Sequence, residues 1–388
     1  MDKLTKYLNK PAFINRKSEL DYLGNWIHSK PNDILFLYGP KSSGKTTLLN
    51  IFILKHMNNK NFNIKHFNLR EMLIANYSDF IKAFFEIDYS KSTEGIKQKR
   101  EYNIKLFKLS KKIIKSMENK VLDPFVVMKQ ELTKIDKKGK RPIIIIDELQ
   151  ALEDIYLNGQ RDLLKELFNF FVAITKESHL CHVIITSSDG YFMNRIYNDS
   201  KLTKTSSFLE INYLNESDVR SWLSNLEQNS AIKAYVFSDE QIDAIIKYFG
   251  GSVWEISFLL AELIPYAKNK HIKTKHVLDR IDRLIEINKG KFKRYAGLHK
   301  DKIQLFYRIF HVRDDSYPFE PFEEYEIRSL VSEGIYEINE LRNELNNLVR
   351  LNFLAFNPTT STYQLQGNSM VYGLKNYVEG IPEDLLIP

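Results

Sequence analysis

Between Asp33 and Leu49 the chain reads DILFLYGPKSSGKTTLL, and few folds accommodate it. The branched and aromatic run Ile34 to Tyr38 has the composition of a buried strand; it breaks at Gly39 and gives way to helix formers after Lys45. The spacing therefore predicts strand, loop, helix. The loop, Gly39-Pro40-Lys41-Ser42-Ser43-Gly44-Lys45-Thr46, has Gly, four residues, Gly, Lys and Thr, the phosphate-loop pattern. Its glycines let successive N–H groups point inward at an anion, where the following helix adds unpaired N–H groups and the positive end of its dipole. Lys45 is expected to reach the β- and γ-phosphates, the Thr46 hydroxyl to ligate Mg²⁺, and Gly39 to Thr47 to form the ATP or ADP contact set. An accidental glycine-rich turn is the competing reading, and the flanking strand and helix argue against it.

A second anchor is Arg141-Pro142-Ile143-Ile144-Ile145-Ile146-Asp147-Glu148-Leu149-Gln150. Four consecutive isoleucines suit a strand buried on both faces, as in a parallel sheet, with Asp147 and Glu148 at its carboxyl end, where such sheets bind ligands. Asp147 can hold Mg²⁺ through water, and Glu148 can polarise the water that attacks the γ-phosphate.

Upstream, Phe13-Ile14-Asn15-Arg16-Lys17-Ser18-Glu19-Leu20 precedes a helical pattern with Leu20, Leu23, Trp26 and Ile27 on one face. This box resembles the Phe-Val-Gly-Arg-x-x-Glu-Leu opening of many AAA+ and STAND ATPases, a segment that packs beside the adenine. Asn15 replaces the usual Gly and tolerates positive φ better than most residues. With the phosphate loop and Ile-Asp-Glu-Leu-Gln following in this order, the chain resembles the archaeal-type ATPase family within the STAND branch. The likeness is clearest from Pro11 to Leu214.

The resemblance implies nucleotide roles for Phe13 and Arg16. The strand His182 to Thr186 ends in Ser187-Ser188-Asp189-Gly190, close to the family's Thr-Gly-Ser-Ser, which makes Ser187 or Ser188 the γ-phosphate sensor. Two departures stand out. The family's Gly-Arg pair before its fifth strand, Phe208 to Tyr213 here, is missing, leaving Arg195, Lys201 or Lys204 as poor arginine-finger substitutes. Val253 stands where the Gly-Gly-x-Pro turn has Pro, although Gly250 and Gly251 remain good helix-end signals.

The expected fold is α/β, an ASCE-type P-loop NTPase with a parallel sheet core, a helical lid and a C-terminal winged-helix domain. Residues 1–214 would form the core, with a second strand at Phe62 to Leu69 and a basic helical insertion near 90–140 that carries Ile104, Leu106, Leu109, Ile113 and Ile114 at helical spacing. Residues 215–299 would form the lid, with helices at Glu216 to Leu226, Asp239 to Tyr248, an apolar one through Ile264, and Val277 to Ile287. Residues 300–388 would form the winged helix, with helices near Ile303 to Phe310, Glu324 to Val331, Ile338 to Leu351 and Ser369 to Tyr377 and a hairpin of Phe353 to Phe356 with Thr362 to Leu365.

At 388 residues the chain can bury two or three cores, and its single cysteine excludes an intrachain disulfide. Cys181 reads as a buried thiol, and the nine histidines show no metal-ligand spacing with it. No apolar run is long enough to span a bilayer and the start MDKLTKYLNK lacks a signal-peptide core, so a cytoplasmic protein without membrane contact is expected. The net charge of +7 is uneven. Lys91 to Arg141 has 16 basic and 6 acidic side chains, Lys268 to Lys300 has 11 and 3, and Asp301 onward has 7 and 14. The third helix of the tail, with Glu340 and Glu344 against Arg342 and Arg350, is not a basic DNA-reading surface.

Three functions are compatible with the sequence. The first is an ATP-hydrolysing, Mg-dependent switch with a protein partner on its acidic C-terminal domain. The second is an ATPase that holds DNA through its basic insertion and lid. The third is a nucleotide-binding scaffold with negligible turnover, against which Glu148 argues. Oligomeric state is open.

Overall fold

The computed structural model describes residues 13–57, 61–69, 72–87, 107–152, 155–157, 161–188, 190, 192–193, 202–312, 320–382 and 385. Its centre is a five-stranded parallel sheet formed by β1 Ile34–Tyr38, β2 Phe62–Asn68, β3 Arg141–Asp147, β4 His182–Thr186 and β5 Ser206–Glu210. The spatial order is β2-β3-β4-β1-β5. Alternation along each strand sends side chains to two different cores. Phe36, Ile144, Ile146, Val183 and Ile185 face one side, packed with Val127, Met128, Leu167 and Phe171 of the helices Pro124–Asp136 and Leu163–Val172. Leu35, Leu37, Ile143, Ile145 and Ile184 face the other, packed with Leu20, Leu23 and Ile27 of Lys17–His28 and with Leu48, Leu49 and Phe52 of Lys45–His56. Both faces are covered, which is why the inner strands β1, β3 and β4 read as near-continuous apolar runs, while the edge strands β2 and β5 carry polar residues and are only partly buried.

Several local expectations change. The fifth strand lies at Ser206–Glu210 rather than Phe208 to Tyr213, because Ile211 is the last residue to bond Tyr38 (2.8 Å) before the chain turns over the loop. The basic insertion is not wholly helical: Phe107–Leu109 pairs in parallel with Phe85–Ile87 before the helices Lys111–Glu118 and Pro124–Asp136. Ile114 and Met117 point inward while Lys111, Lys112 and Lys115 are exposed; Ile104 and Leu106 lie outside the described residues. The expected Glu324 to Val331 helix is a 3-10 turn at Glu324–Ile327 followed by one turn at Ser329–Ser332. Only Ile327 and Leu330 are buried there, too little apolar surface to hold a longer helix.

Beyond the sheet, helices Glu216–Ser224, Asp239–Phe249 and Val253–Leu263 close around Trp222, Ile245 and Leu260. The helix expected at Val277 to Ile287 runs from Thr274 to Ala296. Its first half places Val277, Ile281 and Ile285 in this helical core, and its second half places Phe292 and Ala296 in the C-terminal core. The C-terminal unit has helices Lys300–His311 and Ile338–Arg350 and an antiparallel sheet of Phe322–Glu323, Thr362–Leu365 and Leu354–Asn357. Its last helix, Asn368–Val378, packs along Thr274–Ala296. No helix among the described residues is long and apolar enough to cross a membrane. Cys181 is fully buried and free, and burial pushes its thiol pKa far up.

Candidate functional site

The loop's shape follows from where its backbone must go. Gly39 has φ +146°, and a Cβ there would sit 2.2 Å from the Ile211 carbonyl oxygen. Only glycine permits that approach. Ser42 (φ +68°) and Gly44 (φ +94°) take left-handed angles that curl the loop, and Gly44 is the N-cap of Lys45–His56. No side chain caps that helix, so its first-turn N–H groups are available to an anion. Lys45 is 8% exposed, with Nζ donating to the Gly39 and Pro40 carbonyls at 2.8 Å each. Its ammonium therefore lies within the loop. Pro40 and Ser43 are buried, the Lys41 side chain is exposed, and Thr46 and Thr47 occupy the first helical turn.

Asp147 ends β3 beside this turn. Its Oδ2 is 3.5 Å from Thr46 Oγ1, and its Oδ1 accepts a hydrogen bond from the Thr186 hydroxyl at the end of β4. A hydroxyl and a carboxylate converging this way are hard oxygen donors of the kind Mg²⁺ takes while keeping most of its waters. Glu148 follows with φ +61°, a left-handed angle that costs a non-glycine residue about 1–3 kcal/mol and is held by its N–H bond to the Thr186 carbonyl at 3.0 Å. The turn keeps Glu148 at 6% exposure and at the strand end. Gln150 Nε2 donates to one Glu148 oxygen, and Ser188 Oγ donates to the other at 3.4 Å.

Ser187 and Ser188 are both drawn into this group. Ser187 Oγ donates to Gln150 Oε1 at 3.1 Å, so it reaches Glu148 through Gln150, whereas Ser188 reaches it directly. Sequence reasoning missed Gln150. Its signal was the position two residues after Glu148, at the head of the 3-10 turn Leu149–Leu152.

Arg16 is 8% exposed and braces the loop from outside. Its Nη2 donates to the Ser43 carbonyl (2.8 Å) and the Asn212 carbonyl (2.7 Å), while Nη1 pairs with Glu19 at 2.8 Å. Burial pushes the Glu19 carboxyl up, and the Arg16 and Ser18 hydrogen bonds outweigh it, leaving the group below its ordinary value. Asn15 adopts the positive φ the sequence allowed, +30°, and donates to Asp218 Oδ1 at 2.7 Å. Phe13 lies against the end of the loop helix, with Lys55 Nζ 5.7 Å over its ring. Of the arginine-finger substitutes, Arg195 and Lys201 lie outside the described residues, and the Lys204 side chain is exposed.

The helical unit and the C-terminal unit meet beside the loop. A Cβ on Gly251 would sit 1.9 Å from the Leu214 carbonyl oxygen, so glycine fixes the approach of the first to the end of the core. Val253, at the position of the family's Pro, is the first residue of Val253–Leu263, where either residue starts a helix. Two residues on, Glu255 is buried and accepts from Ser369 of the last helix. Burial pushes its carboxyl up to about 7, against the hydrogen bonds of Ser369 and Ser252 and the charge of Lys291. Because this value lies above the ordinary 4.5, the stability it contributes is complete below pH 4.5 and is lost as pH rises through 7. Thermal unfolding between pH 4.5 and 8 is expected to show that decline in the native chain and a flatter profile in Glu255→Gln; parallel profiles would contradict it.

A parallel sheet of this order, a glycine-bounded loop opening a helix after β1, and acidic residues at the end of β3, one strand removed from β1, define a phosphate-loop ATPase fold. Residues 13–259 match the ATPase domain found predominantly in Archaea, and the chain belongs to that family. An uncharacterized ATP-binding protein of Methanocaldococcus jannaschii is 34% identical over 307 residues, which cover 76% of this chain and 86% of that one. A second from the same organism is 35% identical over 297 residues, covering 75% and 74%. Among solved structures, a Walker-type ATPase of Pyrococcus abyssi aligns over 94% of this chain and 98% of its own with a TM-score of 0.63 at 16% identity. The ORC2 protein of Aeropyrum pernix in its ADP form aligns over 95% of both chains with a TM-score of 0.52 at 12% identity. At such identities the likeness is one of fold.

Proposed function

We propose that this protein binds ATP at Gly39 to Thr47 and hydrolyses it slowly, as a switch of the archaeal-type STAND/AAA+ class. The observation that carries this reading is that Thr46, at the start of the loop helix next to Lys45, meets Asp147 at the end of β3, with Glu148 following and tied through Gln150 to Ser187 at the end of β4, the strand between β1 and β3. In this reading the loop amides and Lys45 hold the β- and γ-phosphates, and Thr46 and Asp147 hold Mg²⁺. The ion, when bound, neutralises charge on the phosphate oxygens. Glu148 takes the proton of the attacking water, with Gln150 and Ser188 fixing its carboxylate. Ser188, bonded to that carboxylate, or Ser187, which reaches it through Gln150, senses whether a γ-phosphate is present.

Its parts are a core at 1–214 with a basic insertion near 90–140, a lid at 215–299 and a winged helix at 300–388. The third helix of the winged helix spends its charge internally: Arg342 pairs with Glu324 at 2.9 Å and Glu344 accepts from Tyr295 at 2.7 Å. That supports a protein contact on the acidic C-terminal unit rather than DNA reading. Phosphate release from ATP, measured with Mg²⁺ and then with EDTA, tests the function; release that ignores EDTA, or none at all, would refute it. Asp147→Asn is expected to raise the Mg²⁺ concentration needed for half-maximal turnover, since it removes a charge from the metal's surroundings.

The exposed lysines of Lys111–Glu118 favour one second reading, an ATPase that holds a DNA backbone. If DNA binds, reversing Lys111, Lys112 and Lys115 together should weaken it equally for all sequences and flatten the salt slope by up to about three. An unchanged slope, with DNA bound, would remove the insertion from that role.

A further inference from the structure

Lys41, on the outer limb of the phosphate loop, has both backbone polar groups held by distant parts of the chain. Its N–H donates to Gln366 Oε1 at 3.1 Å, and its carbonyl accepts from the Tyr213 hydroxyl at 3.0 Å. Gln366 belongs to the C-terminal unit, between the strand Thr362–Leu365 and the helix Asn368–Val378, and is 9% exposed. Its Nε2 donates to the buried Leu354 carbonyl at 3.0 Å. Reversing the carboxamide would set N–H against N–H at Lys41 and oxygen against oxygen at Leu354, so the network fixes one orientation.

The contact lies where the loop is hardest to hold. Ser42, the next residue, has φ +68°, a left-handed angle for a side chain that gains nothing from it. Ser43 follows, its carbonyl bound by Arg16. Gln366, Tyr213 and Arg16 thus clamp the turn that aims the inner N–H groups of the loop. The rest of the hairpin is docked beside it. Asn357 Nδ2 donates to Glu210 Oε2 at 3.1 Å, the Tyr38 hydroxyl lies 3.4 Å from both Asn357 and Thr359, and a Cβ on Gly190 would meet the Phe356 carbonyl oxygen at 2.1 Å.

We infer that Gln366 is a positioning residue for the phosphate loop, through which docking of the C-terminal unit sets nucleotide affinity. The inference rests on the ATP-site reading above. Lys41 gives its N–H to Gln366 rather than to an anion, so Gln366 acts on the loop through that one amide and leaves the Gly44 to Thr46 amides at the helix start for the phosphates. By linkage, whatever pulls the C-terminal unit from the core weakens nucleotide binding, and nucleotide strengthens docking by the same factor.

The test uses the full chain carrying Gln366→Met, close in size and without the acceptor, and separately Tyr213→Phe, which loses only a hydroxyl. ATP and ADP dissociation constants and the split between kcat and KM are measured. Each variant is expected to raise both dissociation constants and KM by about 3- to 10-fold, the effect of one or two neutral hydrogen bonds, with kcat within about twofold. A residue that merely props the fold would lower the melting temperature and leave the dissociation constants alone. That result in Gln366→Met overturns the inference, whatever Tyr213→Phe does. If the unaltered chain binds neither nucleotide, the ATP-site reading falls and takes this inference with it; if it binds both and the variants bind equally well, only the inference falls.

Discussion

Glu148→Gln is expected to bind Mg-ATP as the unaltered chain does and to turn it over about 10²- to 10⁴-fold more slowly. The substitution keeps the side chain's length; the new carboxamide oxygen can accept from Gln150 Nε2 while its NH2 donates to the Ser188 hydroxyl, which can rotate to accept, so the geometry at the strand end survives. What disappears is the group that accepts a proton from water. The left-handed backbone at Glu148 sharpens the expectation, because strain of this kind persists where the surroundings over-determine a residue's placement. Single-turnover phosphate release, with binding measured in parallel, separates the two effects. Turnover at the rate of the unaltered chain would move water activation to another residue.

Lys45→Ala is expected to abolish the stabilisation that ATP gives against heat. A ligand bound only by the folded chain stabilises it by RT ln(1 + [L]/Kd), about 2.7 kcal/mol at a hundredfold excess over Kd. Lys45 supplies the only full positive charge placed inside the loop among the described residues, bonded to the Gly39 and Pro40 carbonyls. Alanine leaves those carbonyls facing the phosphates, so the loss combines a missing attraction with an added repulsion. Thermal melts with and without ATP decide it. An ATP-induced shift of undiminished size in Lys45→Ala would refute the assignment of the loop.

Much of this was legible because the core announces itself locally. Ile34–Tyr38 and His182–Thr186 have the bounds their apolar runs predict, since strands buried on both faces cannot alternate. The loop spacing and the acidic strand end likewise identified residues that the fold brings together, Thr46 with Asp147 above all. The sequence was mute where contacts span hundreds of residues. Nothing in Gln366 or Tyr213 marks them as neighbours of Lys41. Gln150 was missed for a different reason: two residues from Glu148, it looked like the end of a motif rather than a partner of that carboxylate. The helix Thr274–Ala296 outran its expected end because KGKFKRYA sets Phe292 and Ala296, which face the C-terminal core, among solvated basic residues.

The proposed function places binding and hydrolysis of ATP at one site, built from the loop and the β3 carboxyl end. A crystal structure of the Glu148→Gln chain grown with Mg²⁺ and ATP would show it. Intact ATP is expected with its β- and γ-phosphates against the Gly44 to Thr46 amides and Lys45, Mg²⁺ between Thr46 and Asp147, and an ordered water facing position 148. A nucleotide bound elsewhere, or phosphates in the loop with position 148 turned away from the γ-phosphate, would contradict it.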